Sequence, residues 1–95
     1  MIHDLKCWPA PFAAVASGLK RHEVRVNDRP YKVGDTLHLM EWVPADHHGP
    51  GDEERFTGRS FVAEVTYITK GGTWGLPDKL CVMSIRLTFA FRGLP

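Results

Sequence analysis

Five segments of this chain alternate apolar and polar residues in the manner of β-strands, whereas only one segment has the spacing of a helix. The strand-like segments are residues 2–8, 21–26, 36–43, 58–69 and 80–89. Alternation with a period of two places one set of side chains on each face of a strand. A single helix is too small to cover both faces of an open five-stranded sheet. We therefore expect the sheet to close into a barrel, which buries one face of each strand and removes the exposed edges.

The helical segment follows the first strand and begins at two prolines. Pro9 and Pro11 suit the first turn of a helix, where a missing N–H group breaks no hydrogen bond. One apolar stripe follows, at positions i, i+3, i+4 and i+7: Phe12, Val15, Ala16 and Leu19. Gly18 is the expected end of the helix, because glycine adopts the left-handed cap conformation without strain.

The predicted fold is an α+β domain that is mainly β: a small barrel of about five to six strands, mostly antiparallel, with one main helix. The 95 residues correspond to a single domain, 1–95. The clearest strand is expected to place four apolar side chains on one face: Phe61, Ala63, Val65 and Tyr67. Residues 44–56 contain two prolines, two glycines and three consecutive acidic residues, which predicts a flexible acidic loop.

Composition argues against several classes of protein. The net charge of +1 is far from the strongly basic balance of a tight non-specific DNA binder. No window reaches the roughly 18 apolar residues of a membrane span, and no apolar signal core follows the first residues, so we expect an intracellular protein without a membrane partner. Cys7 and Cys81 are too few for a disulfide scaffold and are expected to be free, buried thiols.

The second strand is the most polar segment. Residues 20–29 hold four basic groups, two carboxylates, an imidazole and an amide. Glu23 and Arg25 are two residues apart and therefore project from the same face of a strand. One interpretation is a solvated strand with a surface ion pair, which contributes about 0–1 kcal/mol. The other is the floor of a polar pocket, in which Lys20 and Arg25 hold an anion and Glu23 accepts a hydrogen bond or acts as a base.

Several motifs along the chain resemble those of one family. They are His3-x-Leu5-Lys6-x-Trp8-Pro9, Gly18-x-Lys20-x-x-Glu23-x-Arg25-x-Asn27-Asp28-Arg29, Val33-Gly34-Asp35, Leu39-x-Glu41-Trp42, Thr57-Gly58-Arg59, Val65-Thr66-Tyr67-Ile68 and Val82-Met83-Ser84-Ile85. Over roughly residues 3–86, the chain is similar to an uncharacterised bacterial and phage family in the ASCH branch of the PUA-like superfamily. The ASCH motif, G-x-K-x-x-E/T-x-R, corresponds here to Gly18, Lys20, Glu23 and Arg25.

The resemblance implies a PUA-like β-barrel with a cleft beside the helix, in the cytoplasm of a bacterium or of a phage-infected cell. Domains of this superfamily typically bind RNA or modified nucleobases, so the expected partner is RNA or a modified nucleotide, without a cofactor. The expected binding residues are Lys6, Lys20, Glu23, Arg25, Asn27, Asp28, Arg29, Trp42, Arg59 and Tyr67.

An enzymatic function is the first alternative. Some small ASCH proteins are amidohydrolases that act on acetylated cytidine through a lysine, a threonine and a distant glutamate. Lys20 matches the lysine, whereas Glu23 stands where the threonine would be, and a carboxylate is not activated as a hydroxyl nucleophile is. We find no counterpart of the distant glutamate. Lys20 and Glu23 are the candidate catalytic residues of a nucleoside hydrolase or a ribonuclease, and we favour binding without turnover.

The acidic loop provides the second alternative, a phage-type interaction protein. A loop of 13 residues is long for so small a domain, and long loops are often functional. Its acidic surface would suit a basic protein partner. His47 and His48 also lie in this loop beside Asp46 and Asp52, but adjacent histidines on a loop rarely converge on one ion, so we expect no metal site.

Three tryptophans are candidates for stacking on bases: Trp8, Trp42 and Trp74. Trp42 is the first choice, because it faces away from the apolar residues Leu39 and Val43 of its strand.

Overall fold

The fold contains one helix and one five-stranded sheet. The computed structural model describes residues 1–91, so the predicted domain boundary at residue 95 lies outside the described residues. The elements in chain order are β1 (Ile2–Cys7), α1 (Pro9–Ala16), β2 (His22–Val26), β3 (Thr36–Val43), β4 (Arg55–Lys70) and β5 (Leu80–Phe91). The strand order in the sheet is β1-β3-β4-β5-β2. β1 and β3 are parallel, and the other neighbouring strands are antiparallel.

The sheet curls into a half-barrel whose concave side is closed by α1, which confirms the predicted mainly β, barrel-like α+β fold. Phe12 and Val15 of α1 are buried, and the Phe12 ring lies 4.9 Å from the ring of Phe61 on β4. Alternate residues of four strands complete the core: Leu5, Cys7, Leu37, Leu39, Ala63, Val65, Cys81, Met83 and Ile85. Cys7 and Cys81 are free and buried, as predicted. Within the described residues, no helix is long and apolar enough to cross a membrane.

The helix ends earlier than the predicted apolar stripe. Gly18 adopts a φ of 83° and donates its N–H to the carbonyl of Val15, so its predicted role as the end of the helix is confirmed. Because the chain reverses at this glycine, Leu19 is 87% exposed, and the prediction that it joins the stripe is wrong. The N–H of Lys20 then donates to the carbonyl of Ala14 at 3.0 Å, which fixes Lys20 beside the last turn of the helix.

β4 is longer than predicted and changes register along its length. Phe61, Ala63 and Val65 are buried, as expected, but the pairing with β5 shifts between Val65 and Tyr67. A shift of one residue exchanges the two faces of a strand. Tyr67 is therefore 64% exposed, and the prediction that it shares the buried face is wrong.

The acidic loop comprises residues 44–54, since β4 begins at Arg55. The loop is closed by its own hydrogen bonds. The N–H of Asp46 donates to the carbonyl of Asp52 at 2.9 Å, and the N–H of Gly51 donates to Oδ1 of Asp46 at 2.8 Å. The predicted flexibility of the loop and its predicted protein partner stay predictions.

Side chains join the two edges of the curled sheet. β1 and β2 lie at opposite ends of the strand order, and within residues 1–91 they share no backbone ladder. Nη2 of Arg25 donates to the carbonyl of Lys6 at 2.8 Å, and Nη1 of Arg29 donates to the carbonyl of Asp4 at 3.1 Å. These contacts form a seam between β1 and β2, in which guanidinium groups take the place of a backbone partner.

A buried acidic group anchors the start of β3. Asp35 accepts a hydrogen bond from Nε2 of His3 at 2.8 Å and one from the N–H of Lys32 at 2.9 Å. The hydrogen bond from His3 is the main cause that lowers the pKa of Asp35 to about 2; burial opposes it, and the Lys32 N–H reinforces it. The ring of His3 also packs edge-on against Tyr31, at 4.7 Å between centroids.

We predict that Asp35→Asn reduces the loss of stability in acid. A carboxyl group with a lowered folded-state pKa stabilises the fold fully above its unfolded pKa of about 4, and this stabilisation is lost as the pH falls through about 2. Urea unfolding should therefore show a difference in the free energy of unfolding between wild type and variant, and this difference should become smaller from about pH 6 to about pH 2. A difference that stays constant across this range would contradict the role given to Asp35.

Candidate functional site

β2 directs Glu23 and Arg25 to the inner face of the curled sheet and Val24 and Val26 to its outer face. Glu23 is only 3% exposed and lies opposite Met83 of β5, whereas Val24 and Val26 are 47% and 51% exposed. The interpretation of residues 20–29 as a solvated strand with a surface ion pair therefore does not describe Glu23. An ionised carboxylate in such a position needs charged or hydrogen-bonding partners that replace water.

Two cations provide these partners. Nζ of Lys20 lies 3.0 Å from Oε1 of Glu23, and Nε of Arg25 lies 3.0 Å from Oε2. Each carboxylate oxygen thus accepts one charged donor. The side chain of Glu23 is 4% exposed, while those of Lys20 and Arg25 are each 22% exposed. We call these three residues the Glu23 cluster; its anion lies inside the barrel, and its cations reach the solvent.

Within the described residues, some hydrogen-bond donors of the cluster have no acceptor. Arg25 uses Nε on Glu23 and Nη2 on the carbonyl of Lys6, and Lys20 uses one N–H on Glu23. Among the contacts made by residues 1–91, Nη1 of Arg25 and two N–H groups of Lys20 have no acceptor. With two cations and one carboxylate, the cluster carries a net charge of +1. It is therefore suited to bind an anion that approaches from the solvent.

A second buried carboxylate, which the sequence analysis missed, lies on β3. Glu41 is 2% exposed and is held by Arg59 in a bidentate pair, with Nε to Oε1 and Nη2 to Oε2 both at 2.8 Å. Oγ1 of Thr57 donates to Oε1 at 2.7 Å. The sequence does contain a signal for this burial. Glu41 is two residues from Leu39 and two from Val43, so it projects from the same face of the strand as these core residues.

The thiol of Cys7 lies within the electrostatic reach of both carboxylates. Burial is the main cause that raises the pKa of Cys7 to about 11; the charges of Glu23 and Glu41 add to this rise, while those of Arg25 and Lys20 oppose it. A thiol with this pKa stays protonated near neutral pH and is a poor nucleophile. Cys7 is therefore assigned to the buried core and not to catalysis.

The turn after β2 extends the site along the seam. Arg25, Asp28, Arg29 and Tyr31 line a cavity of about 220 Å³. Asp28, Arg29 and Tyr31 also line a second cavity of about 400 Å³, together with Asn27, Pro30, Ile68 and Lys70. Because they share lining residues, the two cavities are neighbours. The predicted binding residues Arg25, Asn27, Asp28 and Arg29 thus come together on one side of the molecule.

Four other predicted binding residues lie elsewhere. The ammonium group of Lys6 lies 4.6 Å above the ring of Trp42 on the convex face of the sheet, and only the Lys6 carbonyl joins the seam. Arg59 belongs to the Glu41 pair and stacks on Phe12 at 5.6 Å. Tyr67 is on β4, which β5 separates from β2. Their roles in binding stay predictions.

The described residues include no group of three or more His, Cys, Asp or Glu side chains placed to hold a metal ion. The rings of His47 and His48 in the acidic loop pack edge-on at 4.8 Å, and His47 also lies 6.4 Å from Trp8.

The sequence matches a known protein family. Residues 2–85 match a family model described as a domain of unknown function, DUF3850. The chain belongs to the DUF3850 family. A relative from Escherichia phage P2, described as an uncharacterized 12.9 kDa protein in the GpA 3' region, is 40% identical over 73 residues. That alignment covers 77% of this chain and 59% of the phage protein, so the chain spans about three fifths of its relative.

These matches confirm the predicted membership of an uncharacterised bacterial and phage family. The place of that family in the ASCH branch of the PUA-like superfamily stays a prediction. The range that matches DUF3850 contains the Glu23 cluster, the seam and the Glu41 pair. Every residue of the candidate site therefore belongs to the DUF3850 domain itself.

We predict that Glu23→Gln lowers the free energy of unfolding by about 1–3 kcal/mol, because glutamine keeps the shape but removes the counter-charge of Lys20 and Arg25. The matched control is Glu64→Gln. Glu64 pairs with Arg86 at the same distance, 3.0 Å, but its side chain is 42% exposed, so the change should cost less than about 1 kcal/mol. Urea unfolding compares the three proteins. Equal losses in both variants would show that the burial of Glu23 has no energetic consequence.

Proposed function

We propose that this DUF3850 domain is an ASCH-type, PUA-like domain that binds RNA or a modified nucleotide at the Glu23 cluster. The observation that carries the proposal is the buried carboxylate of Glu23, which fixes two cations at the solvent-facing side of the seam. A carboxylate that is 4% exposed holds its partners in one geometry, so Lys20 and Arg25 are oriented before a ligand arrives.

The positions of the ASCH motif form one spatial unit, which supports the assignment. Gly18 ends the helix and reverses the chain, so that Lys20 comes to lie beside β2. Glu23 and Arg25 share the inner face of β2 and bind each other. The spacing G-x-K-x-x-E-x-R thus produces a turn, a cation, a buried anion and a second cation, in contact.

A nucleotide matches the chemistry along the seam. Its phosphate would accept from Nη1 of Arg25 and from Lys20, in charge-assisted hydrogen bonds. The neighbouring cavity offers an amide from Asn27, a carboxylate from Asp28 and the ring of Tyr31. Unpaired RNA bases are recognised through hydrogen bonds on their edges and through stacking on aromatic rings. Phosphate and base would thus lie at adjoining parts of one groove.

The arrangement favours binding over turnover. Both oxygens of Glu23 accept from cations, and the thiol of Cys7 is kept protonated by its raised pKa. A general base must lie within hydrogen-bond reach of the substrate, whereas the side chain of Glu23 is only 4% exposed and both its oxygens face Lys20 and Arg25. We therefore assign Lys20 and Arg25 as binding residues and Glu23 as a positioning residue, without a hydrolytic step.

The test compares ligand binding by wild type and the triple variant Lys20→Met/Glu23→Leu/Arg25→Met. This variant removes all three charges together, so no buried charge is left unpaired. It also removes the contact of Arg25 with the carbonyl of Lys6, so a thermal melt first checks that the variant folds. The ligands are AMP, CMP, GMP, UMP, acetylated cytidine and a single-stranded RNA of about ten nucleotides, at low salt. The triple variant should lose at least about tenfold in affinity, which corresponds to about 1.4 kcal/mol.

The control variant Glu64→Leu/Arg86→Met removes a surface ion pair whose charged atoms are also 3.0 Å apart. It should bind the ligands as wild type does. If the triple variant retains wild-type affinity for every ligand, the Glu23 cluster is not the binding site. Release of acetate from acetylated cytidine, or cleavage of the RNA, would instead support the hydrolase alternative.

A further inference from the structure

The acidic side chain of Asp28 lines both cavities along the seam, where the other charged lining residues are cations. Arg25 and Arg29 line the cavity of about 220 Å³ with it, and Arg29 and Lys70 line the cavity of about 400 Å³. A carboxylate at this place repels a phosphate. It suits a part of the ligand that is uncharged and offers hydrogen-bond donors, because an ionised carboxylate can only accept.

The register of the sheet places the larger cavity on the same face as the Glu23 cluster. Arg25 of β2 pairs with Cys81 of β5, and Cys81 pairs with Lys70 of β4. Glu23 and Ile68 share a partner on β5 in the same way. Cross-strand partners project from one face of a sheet. Ile68 and Lys70, which line the larger cavity, therefore lie on the inner face, beside Glu23 and Arg25.

The carboxylate of Asp28 lies within electrostatic reach of this inner face. Burial is the main cause that raises the pKa of Cys81, and the negative charge of Asp28 adds to the rise. Cys81 is fully buried and stands between Arg25 and Lys70 in the strand pairing. Asp28 is therefore close to the row of residues that joins the two cavities to the Glu23 cluster.

The turn that carries Asp28 is held at three points. The N–H of Asn27 donates to the carbonyl of Lys79 at 2.7 Å, and the N–H of Asp28 donates to the carbonyl of Val26 at 2.8 Å. The side chain of Arg29 is attached to β1 at 3.1 Å. Among the contacts within residues 1–91, the carboxylate of Asp28 has no hydrogen-bond partner. Both of its oxygens are thus available to a ligand on a braced turn.

The ring of Tyr31 provides both cavities with an aromatic wall. The ring packs edge-on against His3 at 4.7 Å, and His3 is itself bonded to Asp35 at 2.8 Å. A ring that is already fixed loses little entropy when a flat ligand packs on it. Proteins recognise an unpaired base through aromatic contact and through hydrogen bonds on the edge of the base. Tyr31 and Asp28 supply these two contacts.

We propose that the seam selects guanine, and that Asp28 is the residue that determines this specificity. Guanine has two adjacent donors on its Watson–Crick edge, N1–H and the N2 amino group, so it forms a bidentate contact with a carboxylate. Adenine and cytosine each offer one amino group there, and uracil offers one N–H. This inference rests on the proposed function, in which the phosphate lies on Lys20 and Arg25, and it names the base.

The experiment measures the affinities of GMP, IMP, AMP, CMP and UMP for wild type and Asp28→Asn at low salt. Wild type should bind GMP at least about tenfold more tightly than AMP, CMP or UMP. IMP lacks the 2-amino group and should bind at least about threefold more weakly than GMP. Asp28→Asn keeps the shape but leaves a single acceptor oxygen, so its affinity for GMP should fall to within about twofold of that for AMP.

The matched control is Asp78→Asn, which removes the same charge from another exposed turn. Asp78 lines neither cavity of the seam, so this variant should keep the preference for GMP. The control separates a contact with the base from a change in overall charge. A thermal melt checks that Asp28→Asn folds as wild type does, and the comparison of GMP with IMP on wild type needs no variant.

The remaining outcomes separate this inference from the proposed function. Equal binding of all five nucleotides by wild type, a preference for another base, or a preference for GMP that survives in Asp28→Asn would overturn the inference. The proposed function still stands in these cases if Lys20→Met/Glu23→Leu/Arg25→Met loses affinity. If wild type binds neither the nucleotides nor the RNA, the proposed function and this inference fail together.

Discussion

The contact of Glu23 with Lys20 and Arg25 decides which way the second strand faces, and the site follows from that choice. A one-residue shift of β2 would place Val24 and Val26 inside and the charges in water, which the hydrophobic effect alone would favour. In the structure, the carboxylate is inside and both valines are exposed. An ionised group keeps such a position only when its partners replace the hydration it loses. Lys20 and Arg25 do so, one on each oxygen.

The same orientation of β2 gives the sheet its seam. Because the side chain of Arg25 points inward and forward, its guanidinium reaches both Glu23 and the carbonyl of Lys6 on β1. Nη1 of Arg29 makes a similar contact with the carbonyl of Asp4, two residues before Lys6 on β1. Side chains that bridge two edges leave more space than a continuous backbone ladder, and the cavities of about 220 and 400 Å³ lie along this line. The pair that stabilises the buried charge therefore also shapes the groove beside it.

Much of the fold is predictable from the sequence because the signals are local. Alternation with a period of two identifies all five strands, and the two prolines with Gly18 bound the helix to within a turn. One of the two errors arises because the outcome depends on a distant strand. Tyr67 is exposed because β4 shifts its register against β5, a property of the pairing that is not encoded in either strand alone. Leu19 is exposed because the reversal at Gly18 carries it away from the helix.

The candidate site is predictable in part for the same reason. Lys20, Glu23 and Arg25 are close in sequence, so their proximity follows from a turn and a strand. The pair of Glu41 with Arg59 joins strands across 18 residues and needs the register of β3 on β4. Trp42 does face away from the core, as its parity predicts, yet its ring is covered by the ammonium of Lys6. Trp74, by contrast, is exposed in a turn where it adopts a left-handed backbone conformation. Sequence rules expect glycine or asparagine at such a position, so this conformation is not predictable from the sequence.

In the proposed binding mode, Lys20 and Arg25 are the first groups that a nucleotide meets. Titration of CMP into nitrogen-labelled protein, followed by amide and guanidinium NMR signals, tests this most directly. The account predicts that the largest shifts occur between residues 20 and 29, with the Nε–H signal of Arg25 among them. Shifts confined to the acidic loop, residues 44–54, or to the convex face around Trp42, with residues 20–29 unmoved, would contradict it.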